Sequence, residues 1–349
     1  LDKQTVRDNV ELLKPKSLEQ IPHITEHTSG STGSSLIFPQ SVDNVRDLWA
    51  AFWRFWNRIG IEYGTRYADF GSRTIVPPNQ RKPPFWRECQ PLFQIKFSAF
   101  HGNDENYMAY FKAINDYGLT WIHGYPSCIM PFASFVAQNG LTFDKPIKAV
   151  TASAENLYGY QRSIIEKAFG VQPHALYGLT EAVACIGEDA DHDYIVDEDY
   201  SAVEFIECGD YSRIVGSNLT NFAFPLLRYD TGDLAITTDR LKNGRRVIER
   251  IDGRTGELLS LPDGGKVGAL SALFTESATI KEAQIHQLED YSVEISFVPL
   301  SDNYTEDIAE AEKRFRDRTK GMLPVSFKRV DGIERTKRGK LRYVVSDIK

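Results

Sequence analysis

The sequence predicts an α/β fold: a large N-terminal domain of layered α/β sheets with a small β subdomain, followed by a small α+β C-terminal domain. Helical and strand patterns alternate over roughly the first 200 residues, as in parallel sheets covered by helices. From about Ser201 to Arg254 the runs become short and β-like, separated by Gly, Asn and Asp turns. Beyond Gly256 the order is strand, strand, helix, strand. These changes set the expected divisions at 1–255 for the N-terminal domain, with its β subdomain at about 201–255, and 256–349 for the C-terminal domain.

The elements follow in order. Ser41 opens a run in which Val45, Leu48, Trp49, Phe52, Trp53, Trp56 and Ile59 recur at helical spacing, and Gly60 supplies the stop. This predicts an amphipathic helix whose aromatic stripe faces a core. Further helices are expected over Glu105 to Asp116 and Ser127 to Asn139, with a short strand at WIHGYP between them. The apolar runs IKAVTAS, PHALYG and SRIVGSN read as buried strands. In the C-terminal part KEAQIHQL and SVEISFVPL alternate like paired strands, TEDIAEAEKRFRDRTKG is helical and PVSFKRV is a further strand.

Composition narrows the function. The chain has 349 residues, 42% hydrophobic and 26% charged, which fits a folded chain of more than one domain and excludes disorder. A net charge of −7 argues against the broad basic field that nucleic-acid binding needs. The longest charge-poor stretch, Trp121 to Thr142, is broken by His123, Gly124, Pro126, Ser127 and Pro131, so no membrane partner is expected. The start LDKQTVRDNVELL shows no basic-then-apolar pattern, and the cytoplasm is the default location. Cys89, Cys128, Cys185 and Cys208 form no CxxC or Cys/His cluster, so neither a zinc site nor a disulfide framework is indicated and buried free thiols are expected.

Four segments could carry chemistry, and each has a plain structural alternative. Thr28, Ser29, Gly30, Ser31, Thr32 and Gly33 gather hydroxyls and permissive glycines that could cradle phosphate oxygens or form a solvated hairpin turn. No Lys follows Gly33, so this is not the lysine-bearing phosphate loop. In ALYGLTEAVA a strand ends at Tyr177-Gly178, and Thr180-Glu181 open a helix; the pair could hold a phosphate oxygen and Mg²⁺, or be an ordinary helix start. In RYDTGDL, Asp233 could accept from a ribose diol or belong to a hairpin turn. The basic run IERTKRGKLR, with Lys340, is a catalytic contact or a solvated face.

Taken in order, TSGSTG, ASAE (Ala152 to Glu155), YGLTE, YDTGD, Gly253-Arg254 and RTKRGKLR resemble the core motifs of the adenylate-forming superfamily of acyl-CoA synthetases, adenylation domains and luciferases. Gly124-Tyr125-Pro126-Ser127, ASAE, YGLTE and LPDG (Leu261 to Gly264) are most similar to its phenylacetate-CoA ligase and CapK-like branch. An antibiotic-pathway subset of that branch activates aryl acids, and the aromatic richness here suits one. The resemblance covers residues 20 to 349, with a shorter N-terminal subdomain than is usual.

The resemblance implies ATP-dependent activation of a small-molecule carboxylic acid as an acyl-adenylate, with Mg²⁺. Transfer would follow to a thiol such as coenzyme A, or to a carrier protein or reductase as acyl acceptor. It implies that Thr28 to Gly33 wrap the β- and γ-phosphates, Thr180 binds the α-phosphate and Glu181 holds the metal. Ser153, Ala154 and Glu155 would line the adenine or acyl pocket, with Tyr177 stacked on the purine beside Gly178. Asp233 would bind the ribose hydroxyls, Arg254 would support the ribose or the domain interface, and Lys340, on a mobile C-terminal domain, would be catalytic; His123 and Tyr125, near the expected pocket floor, suit an aromatic acid or serve as packing. Arg335, Lys337 and Arg342 are expected as domain-interface charges. Ser34 and Ser35 stand where a Pro or Lys is usual, Asp230 replaces an Arg, and Gly256-Glu257 occupies the hinge; phosphate handling would be weaker or borrowed from Arg228. The alternative is a nucleotide- or acyl-binding module that has lost turnover.

Overall fold

The structure is a computed structural model, and it describes residues 1–28, 36–71, 74–254, 258–268, 270–274, 277, 279–335 and 341–348. Two units group by contact, the first comprising 1–63 and 174–255, the second 64–173 and 256–349.

In the first unit Ser41 caps the helix Val42–Arg58, its hydroxyl accepting from the Asn44 N–H. The fully covered positions are Asn44, Ala51, Phe55 and Trp56, whereas Trp49, Phe52 and Trp53 are half-buried. The expected stripe is therefore only partly core, and its rings pack on one another, Trp53 meeting Trp56 edge-on at 4.9 Å. The strands His23–His27 and Ile37–Ser41 pair antiparallel. Strands Pro173–Gly178, Cys185–Glu188, Tyr194–Val196, Arg245–Arg254, Tyr229–Lys242, Tyr211–Asn218 and Ser201–Cys208 follow one another across a sheet, every neighbour antiparallel. The β runs after Ser201 thus continue a larger sheet instead of standing apart. The parallel layering expected for the first part of the chain does not extend to Cys185–Glu188 and Tyr194–Val196, which pair antiparallel.

The second unit holds the parallel layer. Strands Gln94–Phe97, Tyr67–Phe70, Trp121–Gly124 and Ala149–Ser153 lie side by side and parallel, with Trp86–Cys89 antiparallel at the edge. Ala68, Phe70, Ile95, Phe97, Ile122 and Val150 face the helices Asp104–Asp116, Pro126–Gln138 and Gly159–Phe169 and are buried with them. The same unit contains the sheet Val325–Arg329, Val293–Pro299, Ile280–Gln287 and Val344–Ser346, with the helix Thr305–Arg318. Tyr343 joins the two parts of this core, its ring 4.2 Å from that of Tyr158 and its hydroxyl donating to the Leu270 carbonyl.

Among the cysteines only Cys185 is buried; Cys89 and Cys128 are half-buried and Cys208 is exposed at a strand end, so the expectation of buried thiols holds for one of the four. No described helix is long and apolar enough to cross a membrane.

Candidate nucleotide and acyl site

In the first unit the YGLTE segment leaves the sheet at Gly178 and returns at Cys185. Thr180 and Glu181 do not open a helix as the sequence suggested. Ala182 sits at φ 60°, a left-handed conformation that ends helical geometry, and the chain turns into the antiparallel partner strand. Gly216 permits this turn: a Cβ there would lie 1.9 Å from the Val183 carbonyl oxygen. The turn buries Glu181 to 5% exposure, where its Oε1 accepts from the Tyr229 hydroxyl at 3.1 Å and faces Lys3 Nζ at 3.8 Å.

YDTGD is neither a hairpin turn nor a loop. It lies within the strand Tyr229–Lys242 as a bulge, where the pairing passes from Arg213 opposite Leu234 to Val215 opposite Asp230. Gly232 takes φ 73°, and the Thr231 hydroxyl accepts from the Asp233 N–H and donates to the Ile214 carbonyl. The bulge turns Asp233 to Tyr177, whose hydroxyl donates to its Oδ2 at 2.7 Å. Two motif residues 56 positions apart are thereby joined. Asp230 pairs with Arg213 at 2.6 Å, and Arg228 pairs with Glu204 at 2.9 Å.

Thr28 is buried, its N–H bonding the Leu36 carbonyl and its hydroxyl accepting from the Leu36 N–H. Ser29, Gly30, Ser31, Thr32, Gly33 and Lys340 lie outside the described residues, as do Ser34, Ser35, Gly256, Glu257, Lys337 and the Arg254 side chain.

In the second unit Gly124 ends its strand against Phe70, whose carbonyl oxygen would be 2.5 Å from a Cβ there. Tyr125, half-buried, occupies the position just before the helix Pro126–Gln138 without a side-chain cap bond. In ASAE, Ser153 ends a strand and Ala154 takes φ 66°, which turns Glu155 onto the helix start. There its two oxygens accept from Ser127 N–H at 3.0 Å and Ser127 hydroxyl at 2.9 Å. Glu155 therefore caps a helix, an anion at the positive end of its dipole.

His123 lies on the sheet face opposite the helices, in a row with Asp69, Lys96 and Thr151. Thr151 Oγ1 accepts from Trp121 Nε1 at 2.9 Å and meets His123 Nδ1 at 2.8 Å. Burial pushes the His123 imidazolium pKa below its usual value, and the Asp69 charge opposes that shift. Burial also pushes the Cys128 thiol up to about 12, which makes it a poor nucleophile.

Residues 259–347 match the CapK C-terminal domain. Protein CapK of Staphylococcus aureus is 28% identical over 364 residues, a match spanning 100% of this chain and 79% of that protein. 2-Hydroxyisobutyryl-CoA ligase, in its postadenylation state in complex with R3-HIB-AMP, aligns with a TM-score of 0.70 at 16% identity, covering 99% of this chain and 79% of that one. The chain is similar to CapK along its whole length and shares the fold of the 2-hydroxyisobutyryl-CoA ligase. A third similar protein, the anthranilate CoA ligase AuaEII in complex with anthranoyl-AMP, aligns with a TM-score of 0.64 at 12% identity, over 91% of this chain and 65% of that one.

In this chain the residues that sequence reasoning missed are those that hold the motifs in place. Tyr229 opens the YDTGD motif yet its hydroxyl serves Glu181, and Gly216 matters only through its contact with Val183. Ser127 was noted in its motif, but nothing along the chain linked it to Glu155.

Proposed function

We propose that this chain activates a carboxylic acid with ATP, forming an acyl-adenylate and pyrophosphate. The observation that carries this is the Tyr177–Asp233 hydrogen bond of 2.7 Å, which joins the motif residues expected at purine and ribose. The adenylate-bound relatives of the same fold support it. In the reaction a carboxylate oxygen attacks the α-phosphorus while pyrophosphate leaves. The acid is already ionised at neutral pH, so no base is needed and the protein positions groups and stabilises charge.

Tyr177 would stack on the adenine, and Asp233 would accept from the ribose hydroxyls. Thr180 would donate to the α-phosphate, and Lys340 would bring a compact positive charge to it. The loop Thr28 to Gly33 would enclose the distal phosphates. Arg254 would support the ribose side. Glu181 is a hard oxygen donor with one described hydroxyl partner, which fits Mg²⁺. When bound, Mg²⁺ would spread the charge of the phosphates.

His123, beside the rings of Tyr67 and Trp121, and Tyr125 are assigned to the acid, which favours an aryl acid. Glu155 would act indirectly, by fixing the helix that follows Tyr125. The C-terminal segment 256–349 would serve as a lid and coenzyme A as the acceptor, as the names of the ligase relatives suggest.

ATP–pyrophosphate exchange against a panel of aryl and alkyl acids tests the proposal. Acid-dependent exchange is the expected result, and silence across the panel would contradict it. The second reading, a binding module without turnover, is favoured by one feature: Asp230 stands at the motif arginine's position and neutralises Arg213. It predicts nucleotide-dependent thermal stabilisation with no exchange.

A further inference from the structure

A second cluster of ligating side chains lies in the first unit, apart from the motifs. Glu188, 1% exposed, ends the strand Cys185–Glu188, and its Oε2 accepts from the Ala175 N–H at 3.0 Å. The turn that follows brings His192 back, with φ 63°, until its Nδ1 is 3.2 Å from the same Oε2. His174, at the start of the neighbouring strand, lies flat against it, ring centroids 4.3 Å apart and planes 6° from parallel. One ligating atom from each of the three is within 4.8 Å of the others. Among the described residues this is the one group of three His, Cys, Asp or Glu so placed.

We infer that His174, Glu188 and His192 bind a divalent transition-metal ion of the zinc type. Two imidazoles and a carboxylate form an N/O set that suits zinc, whereas Mg²⁺ and Ca²⁺ prefer oxygen alone. The 3.2 Å between Nδ1 and Oε2 is close to the tetrahedral edge of about 3.4 Å that follows from bonds of about 2.1 Å. Ala175 supplies the outer hydrogen bond that orients the carboxylate. Parallel rings aim their lone pairs along parallel lines, so ligation turns one imidazole about χ2. The His192 side chain is 31% exposed, which gives it that freedom and leaves the fourth position to water. The ion is structural: it ties the start of Pro173–Gly178 to the hairpin turn, and the far end of that strand carries Tyr177. The site is independent of the adenylation chemistry and stands or falls separately from it.

The test uses the whole chain after dialysis against a chelator. Zn²⁺ and Co²⁺ are titrated calorimetrically, Co²⁺ absorption reports geometry, and Mg²⁺ is the control. The expected result is one equivalent of each transition ion, tetrahedral cobalt bands, and a melting temperature raised by Zn²⁺ but not by Mg²⁺. His192→Asn removes the imidazole while tolerating the left-handed backbone, and it should weaken Zn²⁺ binding by roughly 10²-fold or more. Glu188→Gln, checked for folding by circular dichroism, should do the same. Absence of stoichiometric uptake by the wild-type chain would show a plain imidazole stack and overturn the inference. So would unchanged affinity in His192→Asn.

Discussion

At Asp233 the backbone bulge and the Tyr177 phenol together fix where a carboxylate points. Removing that hydroxyl leaves the ring but frees the acid. Tyr177→Phe should raise the KM for ATP roughly tenfold with little change in kcat, measured by initial-rate exchange kinetics. His123 gives a pH prediction. Its folded pKa is depressed, so as pH falls the unfolded chain takes up the proton first, near its ordinary value of about 6.5. Its contribution is full above that value and is lost as pH falls through and below it. Denaturant midpoints measured at about pH 7.5 and 5.5 should drop more for wild type than for His123→Gln. Equal drops would remove His123 from the acid limb. The sequence pointed to Asp233, Tyr177 and His123 as separate candidates. It did not show that Tyr177 and Asp233 are bonded, because a bulge and an antiparallel neighbour join residues far apart in the chain.

The helices were legible because their apolar positions repeat and their ends carry caps, as Ser41 and Gly60 do at the two ends of Val42–Arg58. The turn after Thr180 was misread for the opposite reason. A strand followed by Thr-Glu-Ala looks like a helix start, whereas the left-handed Ala182 and the close approach of Val183 to Gly216 go with a turn. Gly216→Ala should therefore destabilise the chain by about 1–3 kcal/mol or force the turn to shift, read by chemical denaturation alongside exchange activity. A second element-level feature is Asp197, fully buried between the helix Val42–Arg58 and the strand Arg245–Arg254. It meets Arg58 at 2.9 Å, Arg54 at 3.2 Å and Arg245, so it ties those elements together by charge. Asp197→Ala leaves three guanidinium groups without their shared anion and should cost about 3–5 kcal/mol, also read by denaturation. No sequence pattern announces this network, since its members are 54, 58, 197 and 245.

For the whole molecule, the ordered motifs and the change of texture after Gly256 gave the fold class correctly. Composition could not place the grouping of 64–173 with 256–349, because that rests on contacts such as Tyr158 against Tyr343. The role proposed for Lys340 belongs to this scale, because a charge delivered from the C-terminal segment would be needed in only one step. Lys340→Ala should lower exchange by roughly 10²-fold or more while leaving the melting temperature unchanged. The most direct measurement follows the oxygen that attacks phosphorus. An acid that supports exchange is labelled with heavy oxygen in its carboxylate and turned over with ATP and an acceptor. Adenylation at this site predicts AMP carrying one label atom; unlabelled AMP, or ADP as the product, would contradict it.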